Sequence, residues 1–264
     1  VYKRQYQNWL LNEDGHIATL TLNRPEAGNN LTPETLYELG EITKTLHTRK
    51  NIWVVIVQGQ GKYFSTGIDV EMLKGRLDQP ELDNRKFLLG LQECLDDFER
   101  LEKPTIAKLH GFCIGGGLIL ALCCDFRIAS QRTVFSLPEV RLGIGVIMGT
   151  QRVTRVAGLA ATKEMVLLGK RFNAKTAHRY GLVNEIVPPD KLDAKVAELA
   201  DRFKHLPPRT VGISKRIINS GLDLPLRESQ DLEIDAQMEL LDSPDMREAL
   251  KSYLEKREPK FAGE

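Results

Sequence analysis

Apolar residues along this chain follow two rhythms that take turns. His16–Leu22 alternates apolar and polar positions, the mark of a half-buried strand, and Asn23-Arg24-Pro25 ends it. Thr32 then stands as an N-cap with Pro33 at the first helical position and Glu34 just inside, and Leu31 and Leu36 are spaced for a hydrophobic staple across that cap. Leu36, Leu39, Ile42 and Leu46 continue at helical spacing and define one apolar face. Ile52–Val57 is apolar throughout, which predicts a strand buried on both faces. Phe87, Leu88, Leu91, Leu95, Phe98 and Leu101 mark a second amphipathic helix, reached through a polar segment around Gly75–Asn84. A short apolar run after Pro104 reads as another buried strand. Behind the glycine triplet Gly115-Gly116-Gly117, the small and apolar residues up to Asp125 read as a buried helix. Strand, helix, strand, helix in this order predicts an α/β domain with right-handed crossovers.

The second half of the chain is patterned differently. Phe126–Ala129 and Val134–Ser136 read as short strands, and Pro138–Gly145 as a glycine-rich bend. Helices are predicted near Gly149–Val156, Ala161–Leu168 and Ala174–Tyr180, the last closed by Gly181, with a final strand in Leu182–Val187. Beyond Pro188-Pro189 the pattern is helical, punctuated by Pro207-Pro208, Gly221 and Ser243-Pro244. We therefore divide the chain into a core, residues 1–188, and a helical C-terminal region, residues 189–264. Apolar residues on more than one face of that region predict packing against a neighbouring subunit.

Composition narrows the class. A chain of 264 residues can bury one substantial core, and 28% charged residues with a formal net charge of +1 give no basic surface for nucleic acid or membrane. No apolar run approaches the roughly 20 residues of a membrane helix, and Val1–Trp9 lacks the apolar segment of a secretory signal. Cys94, Cys113, Cys123 and Cys124 lack metal or redox spacing and are expected to be reduced core residues. A cytoplasmic location is expected, or the mitochondrial matrix if a presequence has been removed.

The candidate chemistry lies at the glycine triplet. Three glycines let the backbone approach a ligand, and the helix that starts there offers free N–H groups and the positive end of its dipole to an anionic oxygen. That oxygen is a phosphate or an enolate; on its own, a glycine triplet before a helix is more often a packing or turn device than a site.

Three motifs stand in fixed order: Phe64-Ser65-Thr66-Gly67-Ile68-Asp69, then Gly111 through Gly115-Gly116-Gly117 to Asp125, then Phe135-Ser136-Leu137-Pro138-Glu139-Val140-Arg141-Leu142-Gly143. With Asn23-Arg24-Pro25, Gly149-Thr150-Gln151-Arg152 and the closing Glu255–Phe261, this set resembles the crotonase (enoyl-CoA hydratase/isomerase) family from about Asn23 to Phe261. The resemblance implies a spiral of ββα units with a helical C-terminal part that mediates trimers or dimers of trimers. It also implies an acyl-CoA substrate, no cofactor beyond the CoA thioester, no metal, and an enolate held in an oxyanion hole. By position, the hole's N–H donors are those of Ile68 and Gly116. The CoA moiety falls to Ala27, Gly28, Lys62, Ser65, Thr66 and Ile68, with Lys260 and Phe261 covering the nucleotide. Lys62 on its own reads equally well as a solvated loop lysine. A further lysine of the family pattern is Glu71 here.

Family hydratases carry two acids, one two residues after the glycine triplet and one after the proline of the third motif. The second is Glu139; the first position holds Ile119. Adding water across a double bond needs a held, deprotonated water and a proton for the neighbouring carbon, work that two carboxylates share. A lone carboxylate suffices to move a proton between two carbons and shift a double bond. Double-bond isomerisation with Glu139 as acid and base is therefore the leading expectation. Hydration or lyase chemistry with another acid, or CoA binding with little catalysis, are the alternatives. Glu139 as a helix-cap or ion-pair residue beside Arg141 is the bland reading of that position.

Overall fold

A computed structural model describes residues 2–263. The chain runs β1 (Tyr2–Gln5), β2 (Trp9–Asp14), β3 (Ile17–Leu22), α1 (Pro33–Thr48), β4 (Val54–Gly59), α2 (Val70–Lys74), α3 (Glu81–Glu99) and β5 (Thr105–Leu109). It continues through β6 (Phe112–Ile114), α4 (Gly116–Leu122), β7 (Phe126–Ser130), β8 (Val134–Ser136), α5 (Thr150–Leu168), β9 (Arg171–Asn173), α6 (Ala174–Arg179) and β10 (Glu185–Val187). Four helices follow: α7 (Leu192–Phe203), α8 (Pro208–Gly221), α9 (Leu226–Leu240) and α10 (Pro244–Glu255).

Seven strands form one sheet in the order β1-β2-β3-β4-β5-β7-β10, antiparallel from β1 to β3 and parallel from β3 onward. The parallel strands are covered on both sides, as the apolar run Ile52–Val57 predicts. Val55, Val57, Ala107, Leu109 and Ala129 face the main core with α1, α3 and α4. Their neighbours Val54, Ile106 and Ile128 face the other way and pack on Leu192, Val196 and Ala200 of α7. Because α7 closes this layer, the core extends past residue 188, and the separately packed helices begin with α8. A small sheet, β6-β8-β9, pairs β6 with β8 in parallel.

α1 begins as its cap chemistry requires. Thr32 Oγ1 accepts from the Thr35 N–H at 3.3 Å and Thr35 Oγ1 accepts in return from the Thr32 N–H, a reciprocal box worth about 0.5–2 kcal/mol. The pair of helices predicted after Gly149 is observed within α5, where Gly158, at φ 75° and ψ 166°, interrupts the helical backbone between them. α8 is fastened to the core by a buried ion pair. Lys215 Nζ lies 2.9 Å from Asp125 Oδ2, which also accepts from the N–H and hydroxyl of Thr105. The cysteines are free; three are buried and Cys94 is half-buried. Among the described residues no helix is long and apolar enough to cross a membrane, and no cluster of metal-ligating side chains occurs.

Candidate active site

The site forms where three loops leave the C-terminal ends of strands. Parallel pairing places Ile114 beside Ser136, and the Gly115 N–H donates to Ser136 O at 2.9 Å. The turn into α4 and the turn carrying Pro138-Glu139 therefore emerge side by side. Gly115 has φ 52° and ψ −126°, which a residue with a β-carbon rarely adopts. A β-carbon there would also stand 2.7 Å from Glu139 Oε1. The glycine thus lets the Glu139 carboxyl rest against the start of α4.

The second loop brings Ile68. Leu31 donates to Gly67 O at 2.7 Å and accepts from the Asp69 N–H at 2.9 Å, so the N–H of Ile68, between them, points to the opposite side. Gly116 is the first residue of α4, and its N–H precedes the intrahelical ladder. A β-carbon on Gly116 would stand 3.5 Å from the Ile68 amide nitrogen, so the two amides border one small space. Gly67 makes this possible with φ 102°, its Cα packed on Ile114 O. The arrangement holds two N–H donors beside one carboxyl group.

Glu139 is 7% exposed, and its Oε2 has no hydrogen-bond partner among the described residues. Burial raises its pKa above the usual 4.5, against a smaller lowering by its own backbone N–H. No ion pair joins Arg141 to it among the described residues; the Arg141 side chain runs beside Gly169. The ion-pair reading of Glu139 therefore has no support in the geometry. A buried carboxyl with a free oxygen and a raised pKa is suited to exchanging a proton.

One turn into α4 lies Ile119, on the same face as Gly116 and 2% exposed. Its Cδ1 is so close to Gly149 that a β-carbon on that glycine would overlap it, at 2.0 Å. Apolar atoms therefore fill the floor where the family's first acid stands.

The expected CoA residues divide into three sets. Ala27, Gly28, Thr66 and Lys62 share one rim. Thr66 donates to Gly28 O at 3.0 Å, and Asn29 Nδ2 donates to Gln60 O and Tyr63 O, which ties the Pro25–Asn29 turn to the Lys62 loop. Lys62 is exposed on that loop. Ser65 is a correction: it is fully buried, and its Oγ accepts from the Gly67 N–H at 3.2 Å. Its N–H and carbonyl are engaged with Phe112 and Ile114, so it shapes the loop and offers nothing to a ligand. Lys260 and Phe261 lie apart from that rim within the chain. The Lys260 N–H donates to Glu248, the Ala262 and Gly263 N–H groups donate to Asp245, and Gly263 lies against Trp53. Trp53 precedes β4 while Lys62 follows it, a six-residue strand or about 20 Å away. Within one chain these two residues do not reach the rim. Glu71, in place of a family lysine, pairs with Lys74.

Two organising residues have no sequence signal of their own. Asn29 is fully buried at φ 55°, with its side chain bridging three backbone groups. Arg152 was visible only as part of a motif; its side chain joins α3 to the loop before α5.

Known proteins agree with this architecture. The family model for enoyl-CoA hydratase/isomerase matches residues 12–264. A short-chain-enoyl-CoA hydratase of Clostridium acetobutylicum is 34% identical over 255 residues, 96% of this chain and 97% of its own length. An enoyl-CoA isomerase/hydratase of Mycosarcoma maydis is 35% identical over 254 residues, 92% of each chain. The structure of an enoyl-CoA hydratase from Bacillus anthracis superposes with a TM-score of 0.90 at 32% identity, over 98% of this chain and 100% of that one. Names ending in hydratase prevail among such relatives. By sequence and by fold, the chain belongs to the enoyl-CoA hydratase/isomerase family, the crotonases.

Proposed function

We propose that this enzyme shifts a double bond in an acyl-CoA, converting a 3-enoyl-CoA to its 2-enoyl isomer through an enolate. The thioester oxygen receives the N–H groups of Ile68 and Gly116. The Glu139 carboxylate takes a proton from C2; the electron pair of that C–H bond forms a C1–C2 double bond, the carbonyl pair moves onto the thioester oxygen, and the enolate is conjugated with the C3–C4 double bond. The same carboxyl returns the proton to C4, the double bond settles between C2 and C3, and the thioester is restored. Two amides aimed at the developing oxyanion contribute about 2.7–4 kcal/mol each to the barrier reduction. The substrate supplies the CoA, and no further cofactor takes part.

The observation that carries this reading is the dry contact of Ile119 with Gly149, which leaves Glu139 as the carboxyl at the glycine turn. Hydration is the second reading, favoured by the names of relatives such as the crotonyl-CoA hydratase of Syntrophomonas wolfei, 34% identical over 258 residues. It requires an acid from another loop or a water activated by Glu139 alone. We further propose that the chain works as a trimer or dimer of trimers, in which Lys260 and Phe261 meet the CoA of a second copy.

Glu139→Gln keeps the side chain's shape and removes the base. Isomerisation should fall by at least a thousandfold while CoA-thioester affinity changes less than threefold. A folded Glu139→Gln enzyme that isomerises within tenfold of wild type contradicts the assignment.

A further inference from the structure

The loop between Glu139 and α5 holds an unusual residue. Met148 has φ 61°, a left-handed conformation that is costly for a side chain with a β-carbon. Strain of this kind persists only where the surroundings impose it. The Met148 side chain packs against the main core, and one guanidinium holds its carbonyl. Arg152 Nη1 donates to Met148 O, Nη2 to Asp96 Oδ1, and Nε to Glu99 Oε2 at 2.8 Å. The Arg152 side chain is 13% exposed, and both carboxylates belong to α3. A planar fork suits this task, because it reaches two carboxylates and a carbonyl at once.

What the fork holds bears on the site. Met148 immediately precedes Gly149, whose Cα closes on the Ile119 side chain. Were Met148 to relax to negative φ, the peptide into Gly149 would turn and the floor under α4 would open. We infer that Arg152 is a positioning residue for the acyl pocket: by holding the Met148 carbonyl it keeps Met148 left-handed and Gly149 sealed on Ile119. Arg152 thereby sets which acyl chains fit. This goes beyond the proposed isomerisation and rests on it, with the added premise that the acyl chain bound at Glu139 runs over the Ile119–Gly149 contact.

The test is binding, so it does not depend on which reaction follows. Dissociation constants for CoA, butyryl-CoA and decanoyl-CoA are measured by titration calorimetry on wild type, Arg152→Gln, Met148→Val, Met148→Gly and the double variant Arg152→Gln/Met148→Gly. The clamp predicts that Arg152→Gln changes the butyryl-to-decanoyl ratio at least fivefold while CoA itself changes less than twofold. Met148→Val, which disfavours positive φ, should shift the ratio in the same direction. Met148→Gly alone should leave it within twofold, and in the double variant glycine should recover at least half of the shift, because it adopts positive φ without the clamp. A merely structural Arg152 would weaken all three ligands together, and glycine would restore nothing. Should Arg152→Gln fail to fold, Met148→Val decides alone: an unchanged ratio overturns the clamp. If wild type binds CoA yet gains no affinity from either acyl chain, the acyl-site placement falls and the inference with it. Acyl discrimination that is intact in wild type and unmoved in every variant overturns the inference and leaves the proposed reaction standing.

Discussion

Valine at position 116 should abolish turnover without unfolding the protein. A β-carbon there meets Ile68 Cγ2 at 3.0 Å, Leu31 Cδ1 at 3.4 Å and the Ile68 amide nitrogen at 3.5 Å. Alanine would force these side chains to give by a few tenths of an ångström. Valine adds two methyl groups to the space that, in the proposed reaction, the thioester oxygen enters to reach both amides. The loss of one donor costs about 2.7–4 kcal/mol, or roughly 10²–10³ in kcat, and exclusion from both costs more. Gly116 is the first residue of α4 rather than a left-handed position, so the backbone itself tolerates a side chain. Overpacking costs about 1–3 kcal/mol, against the roughly 5–15 kcal/mol that holds a domain together. The assay is kcat for a short 3-enoyl-CoA, beside a thermal melt and the affinity for free CoA, which does not enter the hole. Folded Gly116→Val with kcat within tenfold of wild type would refute the placement of the oxyanion at these two amides.

Other consequences follow from single groups. Burial raises the Glu139 pKa, so between the unfolded and folded values the native state holds more protons, and stability falls as pH rises through that window. Glu139→Gln should therefore be at least as stable as wild type at pH 7 in urea titration, while wild-type kcat/KM should rise with pH through an apparent pKa above 4.5. Lys215→Met strands Asp125 at the joint between α8 and the core; denaturant unfolding should show a loss of about 3 kcal/mol, and an unchanged midpoint would mean the joint carries no load. Leu226, Ile234, Leu250, Tyr253 and Leu254 are exposed on α9 and α10. Light scattering at micromolar concentration should report a trimer or hexamer, and a stable monomer would contradict the proposed assembly.

Local signals made much of the fold legible. The Thr32 cap and the apolar run of β4 each fix their element through neighbours in sequence, and each is observed; Leu31 and Leu36 are both buried in the main core. Strands β1 and β2 escaped because Trp9–Asp14 alternates with a buried Glu13, whose Arg49 partner lies across the fold. β9 is three residues long and has no period to detect. At the site, the glycine turn and Glu139 were readable because backbone demands are local. Ser65 differs: a small polar residue in a loop looks available, and its burial comes from backbone pairing with Phe112 and Ile114, nearly 50 residues on. The roles of Asn29 and Arg152 depend on partners 31 to 56 residues away, which no window along the chain contains.

The central claim is that Glu139 moves a proton where a two-acid relative adds water, and one experiment addresses it directly. Wild-type enzyme is given a 3-enoyl-CoA and, separately, crotonyl-CoA in ¹⁸O-labelled water; products are separated by liquid chromatography, which resolves the equal-mass enoyl isomers, and their label is read by mass spectrometry. The account predicts rapid formation of the 2-enoyl-CoA without ¹⁸O, and hydration of crotonyl-CoA at least a hundredfold slower. Rapid appearance of ¹⁸O-labelled 3-hydroxyacyl-CoA from crotonyl-CoA, at a rate matching or exceeding isomerisation, would contradict it and make the enzyme a hydratase.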